Sequence, residues 1–209
     1  MVKIPDYDKV QAFGLPRTGV PYVESVIQVN WWTNARPGAI HCSLPYDAKK
    51  CEGIRTVLCV RHPAAWLDDF YGWMSDRGLT ACGDIGRWLR ESFRLRYGGA
   101  VFHLATPLQY YVKMYGGWLD ACPEMVVVNV ERLDDQLLDV ERRLGLARRR
   151  EGLIAGQGIF DLLGPAWKAE REAKYLLPDM AAMRPELAAA CGQIPPALMV
   201  SLGYEAVDA

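Results

Sequence analysis

The stretch from Lys9 to Asn30, KVQAFGLPRTGVPYVESVIQVN, constrains the fold more than any other part of this chain. A short apolar run with strand character passes through a glycine-bounded turn straight into an amphipathic helical pattern. Gly14 and Gly19 bracket Leu15-Pro16-Arg17-Thr18, which is the G-x-x-x-x-G half of a phosphate-binding loop. In such a loop, backbone N–H groups and the N-terminus of the following helix hold phosphate oxygens. The Lys-Ser/Thr half of that motif is replaced by Val20-Pro21. The replacement removes the phosphate-reaching ammonium and the hydroxyl that binds magnesium. Arg17 is the one cation inside the loop, and a guanidinium can grip a phosphate or sulfate with two parallel hydrogen bonds. The loop therefore predicts anion binding without metal-assisted triphosphate hydrolysis, and no metal site is expected. A plain strand-to-helix turn is the alternative reading of the same glycines. Pro21 suits a first helical turn, yet it deletes an N–H that would otherwise face the anion.

The rest of the chain supports an α/β architecture. Buried parallel strands are expected at Val10 to Phe13, roughly Ala39 to Cys42, Thr56 to Val60 and Met125 to Val130. Helices are expected between them, at Pro21 to Trp32 with Val23, Val26, Ile27 and Trp31 on one face, at Ala64 to Met74, and at Asp134 to Leu144 up to Gly145. Alternation of this kind implies right-handed crossovers. It collects Gly14 to Gly19, His41 and Arg61 at the carboxyl ends of the strands, where ligands bind in such sheets. The segment Asp76 to Gly86 reads as a lid or exposed connection, Arg148-Arg149-Arg150 as a solvated helix end or loop, and the part from Phe160 onward as helices interrupted by prolines.

Composition bounds the partners. The 209 residues, 51% hydrophobic and 23% charged, suit one domain over 1–209. A net charge of -1 gives no electrostatic case for nucleic-acid binding, so any anion site must be local. The amino terminus lacks an apolar signal core and the apolar runs are too short for a membrane span, which makes a cytoplasmic protein without membrane insertion the expectation. Cys42, Cys51, Cys59, Cys82, Cys122 and Cys191 form no C-x-x-C pair and read as reduced packing residues.

Several separated motifs agree with one family. Gly14-Leu15-Pro16-Arg17-Thr18-Gly19 resembles the loop that holds the 5′-phosphosulfate in P-loop sulfotransferases, often G-x-P-[KR]-[ST]-G-T-T. Val57-Leu58-Cys59-Val60-Arg61-His62-Pro63 is similar to their apolar strand ending in Arg-x-Pro. Val126-Val127-Val128-Asn129-Val130-Glu131-Arg132-Leu133 resembles their later strand before a helix, and Tyr111 to Trp118 the aromatic helix preceding it. The Leu202-Gly203-Tyr204 ending is like that of compact bacterial and phage members. The motifs run in the family's order across nearly the whole chain.

The resemblance implies a three-layer P-loop fold with a central parallel sheet of about four to five strands flanked by helices and a helical C-terminal third. It implies sulfonate transfer from 3′-phosphoadenosine 5′-phosphosulfate to a hydroxyl or amine of a small-molecule, glycan or peptide acceptor. Leu15, Pro16, Arg17, Thr18, Gly19, Val20 and Pro21 would form the 5′-cradle, with Arg17 stabilising the leaving group, and Arg61 would take the 3′-phosphate. His41 is the candidate base, two places from the family's usual histidine, whose position Ser43 occupies; Glu131 is the rival carboxylate, expected instead to orient the loop or Arg61. The family carries Ser eight residues after the Arg-x-Pro arginine, and this chain has Asp69. Either Asp69 faces the phosphate and opposes it, or the helix turns it to solvent or into a salt bridge. A fold of this family that binds nucleotides, anions or partners without transfer chemistry is the alternative function. Trp31, Trp32, Tyr110, Tyr111, Tyr115 and Trp118 are candidates for an acceptor site, with core packing as their ordinary role.

Overall fold

Short runs of β-branched and apolar residues, buried almost without interruption, build the central sheet. The computed structural model describes residues 9–33, 40–41, 53–97, 100–104, 106–154, 158, 178–179 and 182–205, with backbone alone for 40–41, 93–97 and 100–104. The elements run β1 (Val10–Gly14), α1 (Val20–Asn30), β2 (Ile40–His41), β3 (Arg55–Val60), α2 (Pro63–Asp76), α3 (Ile85–Trp88), β4 (Phe93–Tyr97), β5 (Ala100–Leu104), α4 (Pro107–Ala121) and β6 (Val126–Asn129). A single 3-10 turn (Val130–Arg132), α5 (Leu133–Leu144), α6 (Pro185–Cys191) and α7 (Pro196–Ser201) follow.

Three full strands and the two-residue β2 form one parallel sheet in the order β2-β1-β3-β6. Val10 pairs with Arg55 and Gly14 with Cys59, while Val57 pairs with Val126 and Val60 with Asn129. Alternate residues then serve opposite faces. Phe13, Leu58 and Val60 pack with Trp66, Leu67 and Phe70 of α2, with Tyr111, Met114, Tyr115 and Trp118 of α4, and with Leu202 and Tyr204. Ala12, Val57, Cys59, Val126 and Val128 pack with Val23, Val26 and Ile27 of α1 and Leu137 and Val140 of α5. Helices thus cover both faces of the sheet. Among the described residues no helix is long and apolar enough to cross a membrane.

Several expectations are adjusted. The strand expected around Ala39 to Cys42 is described only at Ile40–His41, paired with Phe13 and Gly14. Helix α1 stops at Asn30 rather than Trp32, because the chain turns extended at Trp31 and pairs with Arg148, with Trp32 N–H donating to Ala147 and Arg149 N–H to Asn30. The triple arginine is exposed in the loop after α5, as expected, and two of its side chains also make tertiary contacts. Arg148 grips Glu141 at 2.6 and 2.9 Å, and Arg149 donates to the Trp31 carbonyl and stacks over the Trp32 ring. Residues 77–79 are exposed, but the expected lid is pinned beyond them: Cys82, Ile85 and Trp88 are buried, and Tyr71 donates to the Cys82 carbonyl. The antiparallel β4–β5 pair was not anticipated, although Phe93 to Tyr97 alternates and Gly98-Gly99 is a hairpin signal. The beginning of the proline-interrupted C-terminal third lies largely outside the described residues; α6 and α7 are its described helices.

Candidate functional site

The strand order reverses direction at β1, with β2 on one side and β3 on the other, so the carboxyl ends of β1 and β3 form the crevice that open α/β sheets use for ligands. The β1–α1 loop leaves from one end and Arg61 from the other. Gly14 is obligatory there: a Cβ would lie 2.5 Å from Thr18 Oγ1, 2.7 Å from Val20 Cγ2 and 3.0 Å from the Cys59 carbonyl. Gly19, at φ 75, and Arg17, at φ 72, both take the left-handed conformation that turns the loop into α1.

The loop's carbonyls are tied back into the protein. Thr18 N–H and Thr18 Oγ1 donate to the Leu15 carbonyl at 3.2 and 2.7 Å, Trp66 Nε1 donates to Pro16 at 2.8 Å, and Arg61 Nη1 donates to Arg17 at 3.2 Å. Leu15, Thr18 and Val20 are buried, so the loop's one side chain of intermediate exposure is Arg17. The Thr18 hydroxyl, expected in the 5′-cradle, already spends its proton on the loop itself, which leaves it able only to accept. Pro21 sits in the first turn of α1.

Arg17 and Arg61 converge. The carboxylate that receives both is Asp69, from the second turn of α2. Arg17 Nη2 donates to Asp69 Oδ1 at 2.8 Å and Arg17 Nε to Oδ2 at 3.1 Å, a bidentate pair, while Arg61 Nη1 donates to Oδ2 at 2.7 Å. The two alternatives for Asp69 are therefore combined: the register of α2 does aim it at the arginines, and it is salt-bridged there. Its neighbour Asp68 points elsewhere, half-exposed and 3.7 Å from Arg184. The rotation of α2 is set by its buried face, on which Trp66 stacks with Phe70.

A second group of polar side chains holds the Arg61 segment in place. Tyr111 of α4 donates to the Arg61 carbonyl at 2.8 Å and Tyr115 to Cys59 at 3.0 Å. The Glu131 carboxylate accepts from the His62 N–H at 2.7 Å and from the Tyr204 hydroxyl at 3.0 Å. Burial raises the pKa of Glu131, and these two hydrogen bonds together with the Arg61 charge hold it back. The geometry makes Glu131 a bracket for the strand end rather than an exposed base. His62 is buried, with its ring edge-on to Tyr204 and its Nδ1 accepting from Ala64 N–H as the cap of α2; burial first and then Arg132 lower its pKa to about 4.

The backbone of His41 lies beside Gly14 in the parallel register, which places β2's end next to the loop; its side chain lies outside the described residues, as does Ser43. The aromatic candidates are core: Trp31, Tyr110, Tyr111, Tyr115 and Trp118 are buried, and only Trp32 of that group is exposed. Cys59, Cys82, Cys122 and Cys191 are buried thiols. Trp66, Tyr111, Tyr115 and Tyr204 as positioning residues carry no local sequence signal, because each acts on a residue far away in the chain. Comparison with family models, with curated proteins and with solved structures finds no match.

Proposed function

We propose that the chain is a sulfotransferase-like protein of the P-loop type that binds 3′-phosphoadenosine 5′-phosphosulfate at the carboxyl ends of β1 and β3 and transfers sulfonate to a hydroxyl or amine acceptor. The observation that carries this reading is the placement of Arg17 and Arg61, from two neighbouring strand ends at the switch point, close enough in the crevice to share the Asp69 carboxylate. Two guanidinium groups, on backbone that Trp66 and Tyr111 hold at the Pro16 and Arg61 carbonyls and with Arg61 Nη1 also on the Arg17 carbonyl, are a donor set suited to phosphate or sulfate oxygens. The bound donor would supply a sulfonate on a phosphate leaving group. Arg17 would neutralise charge as it grows on the 5′ side, Arg61 would anchor the 3′-phosphate, and the acceptor proton would pass to His41.

A second reading, an anion-binding protein without transfer chemistry, is favoured by Asp69, whose carboxylate neutralises part of the arginine pair, and by Val20-Pro21. Calorimetric titration with adenosine 3′,5′-bisphosphate tests both. Wild type is expected to bind, Arg61→Ala to lose more affinity than Arg17→Ala, and Arg17→Ala to lose more turnover, because the 3′ contact is equal in ground and transition states. Absence of heat at millimolar ligand removes the donor assignment. Binding without transfer to any acceptor leaves the second reading.

A further inference from the structure

We propose that Asp69 is an internal anion that competes with ligand for the Arg17–Arg61 pair, so that this site admits phosphate esters carrying two charges and rejects sulfate esters carrying one. The inference rests on the reading that the pair binds an anion, and it adds the rule by which that anion is chosen.

The geometry is that of an occupied anion subsite. Three hydrogen bonds of 2.7 to 3.1 Å place both carboxylate oxygens against the two guanidinium groups, in the arrangement a phosphate monoester would need. Two cations face one carboxylate, which leaves the group a single net positive charge. The carboxylate is part of the chain, so its effective concentration at the arginines far exceeds that of any free ligand. A singly charged ester that displaced it would gain no charge over what it replaced and would leave Asp69 beside it. A dianion brings twice the attraction to both guanidiniums and outweighs the exchange.

The parts differ in their freedom to make that exchange. Arg61 is nearly buried, with 6% side-chain exposure, and its segment is held by Tyr111. Arg17 and Asp69 retain 30% and 21%. Helix α2 cannot rotate without drawing Trp66, Leu67 and Phe70 out of the core and Trp66 Nε1 off the Pro16 carbonyl, so the movable element is the short Asp69 side chain itself, swinging out while Arg61 stays.

The test uses the full chain with phenyl phosphate and phenyl sulfate, two esters of like shape and different charge, at a pH near 8 where the phosphate carries both charges. Wild type is expected to bind phenyl phosphate about tenfold or more tighter than phenyl sulfate. Asp69→Asn keeps the side chain's shape and removes its charge; it should tighten both ligands several-fold, bringing phenyl sulfate into the range that wild type refuses, while the preference for the dianion is kept. Adding Arg61→Ala to Asp69→Asn should abolish the gain. Unchanged or weaker binding by Asp69→Asn overturns the proposal, since a carboxylate that merely props the arginines would show that result. Should Asp69→Asn fail to fold, wild type still decides: the Arg17 Nε–H resonance, assigned through Arg17→Lys, must move with millimolar phenyl phosphate and stay with phenyl sulfate. A resonance that stays with both overturns it. If Asp69→Asn behaves as expected but adenosine 3′,5′-bisphosphate does not bind, the donor assignment alone falls. If the bisphosphate binds wild type and Asp69→Asn equally, the competition alone falls.

Discussion

Arg17 holds φ at 72°, a conformation that costs an L side chain roughly 1 kcal/mol or more and is met here by its bidentate pairing with Asp69. Replacing it separates backbone from charge. Arg17→Gly and Arg17→Ala both lose the guanidinium, but glycine also relieves the backbone, so urea denaturation should find Arg17→Gly more stable than Arg17→Ala by about 1 kcal/mol. An alanine variant as stable as the glycine one would mean that the loop can relax to negative φ. Two buried titratable residues make a second prediction, with opposite signs. His62 is held at a pKa of about 4 against its ordinary 6.5, so the unfolded chain binds the extra proton between those values. His62 therefore contributes stability above pH 6.5 and loses it as pH falls toward 4, by on the order of 3 kcal/mol at most. Glu24 on α1 is buried, its Oε1 has no hydrogen-bond partner among the described residues, and burial pushes its pKa from 4.5 up to about 7. Here the folded chain binds the extra proton, so stability falls as pH rises from 4.5 through 7. Glu24→Gln should accordingly gain on wild type as pH is raised from 5 to 8, and His62→Asn should flatten the acid limb. Parallel pH profiles for wild type and both variants would contradict the burial assigned to these side chains.

Helix starts at this site are secured by distant side chains. Glu131, just beyond β6, joins the β3–α2 junction to the C-terminal segment through the His62 N–H and the Tyr204 hydroxyl. Tyr204→Phe removes one of those bonds and should cost about 1 kcal/mol; Glu131→Ala strips the buried His62 N–H as well and should cost about 2–3 kcal/mol by urea denaturation. The reverse order of effects would show that the Tyr204 ring, not the carboxylate, holds the junction. The existence of β1, β3 and β6 was legible in short continuous apolar runs and that of α1, α2 and α5 in helical periodicity, and the loop glycines were legible in their spacing, Gly14 meeting a close approach and Gly19 a positive φ. The end of α1 was not. Trp31 fits the helical face by spacing, yet its backbone leaves the helix to pair with Arg148, more than a hundred residues later. Local periodicity carries no information on that choice.

The molecule as a whole closes one face of its sheet with its last described residues. Leu202 is fully buried in the cluster formed by α2 and α4, its carbonyl accepts from Asn129 Nδ2 at 2.7 Å, and Gly203, at φ 77, turns the chain past Asn129 toward Glu131. Leu202→Ala should therefore cost about 2–5 kcal/mol, as for a core leucine; a cost under about 1 kcal/mol in thermal or chemical denaturation would place this segment outside the cooperative unit. Taken alone, the sequence determined the strand–loop–helix entrance, the alternation that demands a layered α/β sheet, and the two arginines at strand ends, all of which rest on short-range patterns of residue size, polarity and glycine. It left open which way Asp69 points, whether Glu131 is a base or a bracket, and whether the aromatic residues of α4 line a cleft or a core. Tertiary structure decided these, because each depends on helix rotation and strand order. The buried face of α2 turns Asp69 into the fork of Arg17 and Arg61, and the β2-β1-β3-β6 order brings that fork to the crevice where the sheet reverses.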